Sequence, residues 1–233
     1  MRSVLFLDNN ARPSCIQPVW GKEGGGAVAE NRKDRSDEDS QIQYTIFKLR
    51  LHPSPEQAEL MDKTFACCRY LWNKMLADAR EFFAATDLQY IPTPAHYKKG
   101  APFLKEVDSQ ALCTVHQNLR KAYLDFFRAP DTFGYPQFKT KKSGKDSFTV
   151  YCREYRTGPS IRLTSGGLQM PKLGAVEAVL RRRPQFEWTL VSVTVSKSRS
   201  GKYDASVVFK YPVRQAEPAQ PDQKRTLGLS QCH

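Results

Sequence analysis

The sequence predicts an α+β protein in which a helical segment interrupts a β-barrel-like sheet. Three observations lead there: a period-two apolar run at Phe47–Leu51, two long stretches of helical spacing after it, and a series of short segments broken by glycine and proline that ends in a valine-rich hairpin. With 233 residues, 40% hydrophobic and 11% aromatic, most of the chain is expected to fold around a core.

Residues 1–43 are expected to be a disordered tail, because Gly24-Gly25-Gly26 and the mixed-charge run Glu30–Asp39 give little to bury. Structure is expected to begin near Ile42. Phe47, Leu49 and Leu51 alternate with Lys48 and Arg50, the period of a strand with one wet face. Ser54 as N-cap, Pro55 at the first helical position and Gln57 closing a capping box then start a helix that runs to about Phe83. Its apolar stripe comprises Leu60, Thr64, Phe65, Cys68, Leu71, Trp72, Met75, Ala79 and Phe82. Ile91–Pro102 is rich in proline and reads as a connection. A second helix is predicted from Asp108 or Ser109 to Phe127, burying Leu112, Val115, Leu119, Ala122, Tyr123 and Phe126.

After Arg128 helical spacing disappears. Phe148–Cys152, Ser160–Leu163 and Leu168–Met170 read as short strands. Val191, Val193 and Val195 pair best with Tyr203–Tyr211 across a turn at Ser200-Gly201. Ala216–Lys224, with Pro218 and Pro221, reads as a linker.

The charge is unevenly placed. Of 36 basic and 24 acidic residues, 6 and 7 fall in 1–43, so the remainder carries a net +13. Arg128–Lys172 alone holds 9 basic residues against Asp131, Asp146 and Glu154. Such an excess repels itself until a polyanion neutralises it, and nucleic acid is the commonest one in the cytosol. No run of about 18 apolar residues could span a membrane, and Val4–Leu7 is too short for a signal-peptide core, so a cytoplasmic protein without a membrane partner is expected. The six cysteines form no C-x-x-C pair, which leaves neither a zinc ribbon nor a disulfide framework. His52, His96, His116 and His233 are scattered, and Cys113 and His116, at helical spacing, lack a third partner for a nucleophile triad. Neither a phosphate-cradling G-x-x-x-x-G-K-[ST] loop nor a G-x-G-x-x-G fingerprint occurs. No cofactor, metal, catalytic residue or small-molecule substrate is expected.

The most informative segment is Phe133-Gly134-Tyr135-Pro136-Gln137-Phe138-Lys139-Thr140-Lys141-Lys142, where rings interleave with lysines across a turn that Gly134 and Pro136 would hold open. Rings can stack on exposed bases while ammonium groups neutralise phosphates. The rings Phe133, Tyr135 and Phe138 suit either that role or the core. Lys139, Lys141, Lys142 and Lys145 point to phosphate contact, and Arg128 and Lys172 extend the basic stretch. Arg181-Arg182-Arg183 is either a second phosphate contact or a solvated loop.

That segment, followed by Ser147-Phe148, Pro171-Lys172-Leu173-Gly174 and the valine hairpin, resembles the N-terminal half of the TnpB (OrfB-type) proteins of bacterial and archaeal insertion sequences. The stretches Arg69-Tyr70-Leu71-Trp72-Asn73 and Asn118–Tyr123 through Phe126-Phe127 resemble that family too, and the likeness extends over roughly 44–229. The resemblance implies an RNA-guided DNA endonuclease whose N-terminal half is a wedge-type β-barrel carrying a helical recognition insertion, with guide-type RNA and target DNA as partners. On this pattern 44–52 and 129–215 form the barrel, 53–128 the insertion, and 216–233 a linker and the truncated start of an RNase-H-like nuclease domain. Ser230 stands where the resemblance places the first metal-binding aspartate, and the chain stops at His233. A neutral hydroxyl cannot replace a carboxylate in a two-metal site. The expectation is therefore a nucleic-acid-binding half, nuclease-dead by truncation. A non-functional pseudogene fragment and a helix-turn-helix DNA-binding accessory protein of transposition are the alternatives.

Overall fold

A computed structural model describes residues 42–143, 146–180, 184 and 188–212. The expected tail (1–43, except its last two residues) and the linker from 216 lie outside them. Strand β1 (Ile42–His52) leads into helix α1 (Pro55–Thr86), a one-turn helix α2 (Pro94–Tyr97) and helix α3 (Ser109–Arg128). Eight strands follow: β2 (Asp146–Tyr151), β3 (Glu154–Tyr155), β4 (Gly158–Pro159), β5 (Arg162–Thr164), β6 (Gly167–Met170), β7 (Gly174–Val179), β8 (Thr189–Lys197) and β9 (Tyr203–Pro212). Seven of the nine described strands make one antiparallel sheet in the order β2-β8-β9-β1-β7-β6-β5, curled into a half-barrel.

The sheet's first strand and its last meet in sequence rather than through a ladder. The small β3–β4 hairpin joins β2 to β5, with Ser160 donating its N–H to the Arg153 carbonyl and Arg153 donating its own to the Ser160 hydroxyl. Cys152 Sγ lies 3.7 Å from the carbonyl of the buried Ile161. In β1 the predicted alternation holds: Leu49 and Leu51 are buried, Lys48 and Arg50 exposed. Ahead of them, on the outward face, Ile42, Tyr44 and Ile46 stand in solvent, so this face is apolar as well as basic.

The central ladder rests on the predicted hairpin. Gly201 turns it at φ 78, and its N–H donates to the Ser198 carbonyl. Val193 and Val195 are buried against Val207 and Ala205. Val191 departs from the expected three-valine face. A bulge between Leu190 and Ser192 resets the register there, and the Val191 carbonyl instead accepts from the Cys152 N–H. Strand β7 is absent from the sequence reading because Gly174–Val179 is short and bounded by a single glycine. Its neighbour Gly167 is required by contact: a Cβ there would fall 2.1 Å from the Val176 carbonyl oxygen.

Both predicted helices form, and their stop signals are local. The Ser54 hydroxyl accepts from the Gln57 N–H while Gln57 Oε1 accepts from the Ser54 N–H, closing the capping box. Asp87, in the left-handed conformation, ends α1 at Thr86, three residues beyond the predicted Phe83. Asp108 caps α3 by accepting from the Gln110 N–H. Buried Leu71, Met75, Leu76, Leu112, Leu119 and Tyr123 fuse the two helices, and Phe65 meets Phe148 of β2 at 5.3 Å. Ala122 and Phe126 are only half-buried. The proline-rich connection is part of this core rather than a free loop, since Ile91, Tyr97, Ala101, Leu104 and Val107 are buried.

Long-range ties fix α1 on the sheet. Gln57 Nε2 donates to the Leu173 and Ala175 carbonyls at 3.0 and 2.9 Å. Asp62 receives Lys197 Nζ at 2.6 Å and the Tyr203 hydroxyl at 2.9 Å. Arg69 pairs with Asp146 at the start of β2.

Two outcomes test this scaffold. Gln57→Glu keeps the acceptor that closes the capping box but turns a carboxylate toward two carbonyls. It should lose about 1–3 kcal/mol in denaturant unfolding, more than Gln57→Ala gives at the cap alone. His116 is buried with Nε2 3.3 Å from the Ile91 carbonyl, and burial holds its pKa below the ordinary 6.5. The fold therefore favours neutral imidazole, and its contribution is whole above pH 6.5 and drains away as pH falls below it. His116→Gln should flatten the acid side of the stability–pH curve by at most about 1.4 kcal/mol per pH unit.

Candidate nucleic-acid interface

One side of α1 carries Trp72, Asn73 and Arg80, and all three hydrogen-bond to the chain that follows α3. After a turn at Ala129–Phe133, closed by N–H groups of Thr132 and Phe133 on the Ala129 carbonyl, residues 134–140 run in irregular, extended form along the helix. The turn therefore precedes Gly134 and Pro136, where the sequence pattern places it. Arg80 donates to the Pro136 carbonyl, Trp72 Nε1–H to that of Gln137, both at 2.9 Å. Asn73 exchanges two bonds with the Lys139 backbone, as a paired strand would. A strap without a sheet partner thus has its polar backbone satisfied by one helix.

The packing divides the rings. Tyr135 is half-buried, edge-on to Tyr123 at 5.5 Å and Phe126 at 5.2 Å, with the Arg80 guanidinium 5.0 Å from its centroid. The Tyr123 and Tyr135 hydroxyls share a hydrogen bond at 3.2 Å, and burial pushes the Tyr123 pKa up. Phe138 stays 47% exposed, one face taken by Arg80 at 4.7 Å. Phe133 is 45% exposed. Tyr135 is thus engaged inside the protein, while Phe133 and Phe138 offer area to a partner.

The cations divide as well. Lys139 is exposed as a residue, yet its ammonium lies 3.9 Å from the centre of the Trp72 ring, and desolvation there lowers its pKa. The open stem and the covered head are different atoms, and the head decides the pKa. Lys141 and Lys142 stand exposed in a 3-10 turn, Lys141–Ser143. Arg128 is exposed at the last residue of α3, where a cation also complements the helix carbonyls. Lys172, with φ 66, lines a separate cavity with Leu60 and Asp108. Lys145 and Arg181, Arg182 and Arg183 lie outside the described residues.

Between α1, the 3-10 turn after the strap, the start of β2 and the β8–β9 turn the structure forms a recess of about 270 Å³ whose charged lining is Asp62, Arg69, Lys141, Asp146, Lys197 and Arg199. Arg69 and Lys197 are held by Asp146 and Asp62, and the hydrogen bond that Lys197 donates to Asp62 raises the Lys197 pKa. Lys141 and Arg199 have no ion pair among the described residues. The recess therefore presents two fixed and two uncommitted cations. Of the predicted set it takes only Lys141, with Lys139 in an adjoining cavity. Sequence reasoning misses Arg69, Lys197 and Arg199 as site residues, because single charges on a helix and in a turn carry no local signal. The Arg69–Asn73 stretch stands out in sequence only by its family resemblance. Cys68, in the adjoining cavity, is buried with its pKa pushed up to about 12, so it remains a thiol. Among the described residues no three His, Cys, Asp or Glu side chains are grouped to hold a metal ion, and no helix is long and apolar enough to cross a membrane.

An α+β half-barrel with helices 55–128 between its first two strands, and a basic recess where they meet, is the class of protein these observations define. Residues 44–86 match the helix-turn-helix domain family of OrfB proteins from IS605-type elements. Over 170 residues the chain is 29% identical to a "Putative RNA-guided DNA endonuclease" of Streptomyces pristinaespiralis, covering 70% of this chain and 40% of that one. Over 173 residues it is 31% identical to "Putative RNA-guided DNA endonuclease InsQ" of Escherichia coli strain K12, covering 69% and 39%. The chain is thus similar to the N-terminal part of OrfB-type (TnpB) insertion-sequence proteins and spans about 40% of the length of the curated relatives it matches. The matched segment 44–86 is β1 followed by one unbroken helix of 32 residues, so the helix-turn-helix of the family's description is not its geometry here.

Asn73→Ala removes both bonds to Lys139 while leaving the α1 core untouched. Limited trypsin digestion should cut after Lys139 or Lys141 about tenfold faster in this variant, with little change in global unfolding.

Proposed function

We infer that this chain is the nucleic-acid-gripping part of a TnpB-like RNA-guided system, holding guide-type RNA and target DNA in the cytoplasm. The observation that carries the reading is the basic recess beside the strap, where Lys141 and Arg199 carry no carboxylate partner among the described residues and Phe138 and Phe133 offer ring faces nearby in sequence. Uncommitted cations attract phosphates and release counterions, and exposed rings stack on bases. The similarity to proteins named as RNA-guided DNA endonucleases supports nucleic acid over other polyanions. In this reading 44–52 and 129–215 form a wedge-type barrel, 53–128 its recognition insertion, and 1–43 a tail. We assign strand cleavage to no residue of this chain, and its role is binding. Arg128, Lys142 and Lys172 extend the phosphate contacts beyond the recess, and Lys145 and Arg181–Arg183, which lie outside the described residues, are assigned the same role from their sequence alone.

Salt dependence tests this. Wild-type binding to a structured RNA and to duplex DNA should weaken steeply with salt. On duplex DNA, Lys141→Gln with Lys142→Gln should flatten the log–log slope by about 0.9 for each phosphate no longer neutralised. Adding Lys139→Gln should change the slope less than either, because that ammonium already lies against Trp72. An unchanged slope in the triple variant would remove the strap from the interface.

A further inference from the structure

Behind the cationic recess lies a second cavity of about 280 Å³, and the two share Phe65, Arg69 and Asp146. Four segments wall the inner one: α1, α3, the strap at Lys139–Thr140, and the first half of β2. Its floor is apolar, formed by Phe65, Val115 and Phe148. Its rim is polar. Thr114 there already donates to the Gln110 carbonyl and Thr149 is bonded to Thr194, whereas the exposed Asn118 amide, with one donor group and one acceptor, is committed to no partner among the described residues. An apolar slot with a few placed polar groups suits a flat heteroaromatic ring. The outer recess, with Lys141 and Arg199, suits an oxyanion.

We propose that the two adjoining cavities form a site for one nucleotide, its phosphate on Lys141 and Arg199 and its base in the inner cavity against Asn118, the nucleotide passing over the shared Arg69–Asp146 wall. The proposal rests on the nucleic-acid reading and sharpens it: a base stacked within a duplex cannot enter the inner cavity, so the ligand is an unpaired nucleotide of a strand or a free one. Lys139, at the wall between strap and helix, then flanks the site rather than gripping a phosphate alone.

Calorimetric titration of the whole chain with AMP, UMP and inorganic phosphate, and with two hairpin RNAs differing by a single bulged nucleotide, tests it. A nucleotide should bind at least about tenfold more tightly than phosphate, and the bulged hairpin more tightly than the fully paired one. Arg199→Gln should weaken phosphate and nucleotides alike. Asn118→Leu should abolish the advantage of nucleotide over phosphate and leave phosphate binding intact; Asn118→Asp serves the same purpose should the leucine variant fail to unfold cooperatively. Nucleotides that gain over phosphate without a gain from the bulge identify a free nucleotide as the ligand. Equal affinity for nucleotide and phosphate, or an undiminished gain in both Asn118 variants, overturns the proposal. Should polynucleotides still bind wild type with a steep salt slope in that case, the broader reading survives. Absence of that slope defeats the broader reading independently.

Discussion

Helix α1 satisfies backbone groups that no ladder reaches, and the rest of the molecule is arranged around that service. Gln57 donates to carbonyls flanking the β6–β7 turn, while Trp72, Asn73 and Arg80 donate to the carbonyls of the strap. Packed irregular chain of this kind is stable only when its N–H and C=O groups find partners, since each orphan costs about 1–3 kcal/mol. One long helix supplies them from both ends. Its length is therefore a structural requirement, and its amphipathic stripe is only half its task.

The same helix sets the electrostatics. Asp62 and Asp146 do not neutralise the basic surface; they hold Lys197 and Arg69 in place and leave Lys141 and Arg199 uncommitted. Ion pairs that solvent still reaches, as it does both of these, contribute little stability, so they are better understood as positioning than as cement. A surface with an excess of positive charge becomes a site where some cations are fixed and others are left for a partner.

Much of this was legible locally. The capping box at Ser54-Pro55-Gln57, the N-cap Asp108, the alternation in β1 and the Ser200-Gly201 turn each depend on neighbours within a few residues, and each appears where the pattern put it. Illegible features depend on distant partners. β7 exists because β1 and β6 flank it, Val191 leaves its face because of a bulge against β9, and the proline-rich connection is buried because the α1–α3 surface receives it. Tyr135 shows the limit most clearly, because its ring suits base stacking or packing equally in sequence, and only Tyr123, Phe126 and Arg80 around it decide.

By itself the sequence determined the class of fold, the two helices with their caps, the hairpin and the family resemblance, because periodicity, capping and ordered motifs are properties of adjacent residues. Only tertiary structure decided which cations share a recess, which rings remain free, and that residues 44–86 form a strand and a single helix. Charges at Arg69, Lys141 and Arg199 are separated by most of the chain, and nothing short of folding brings them within reach of one ligand.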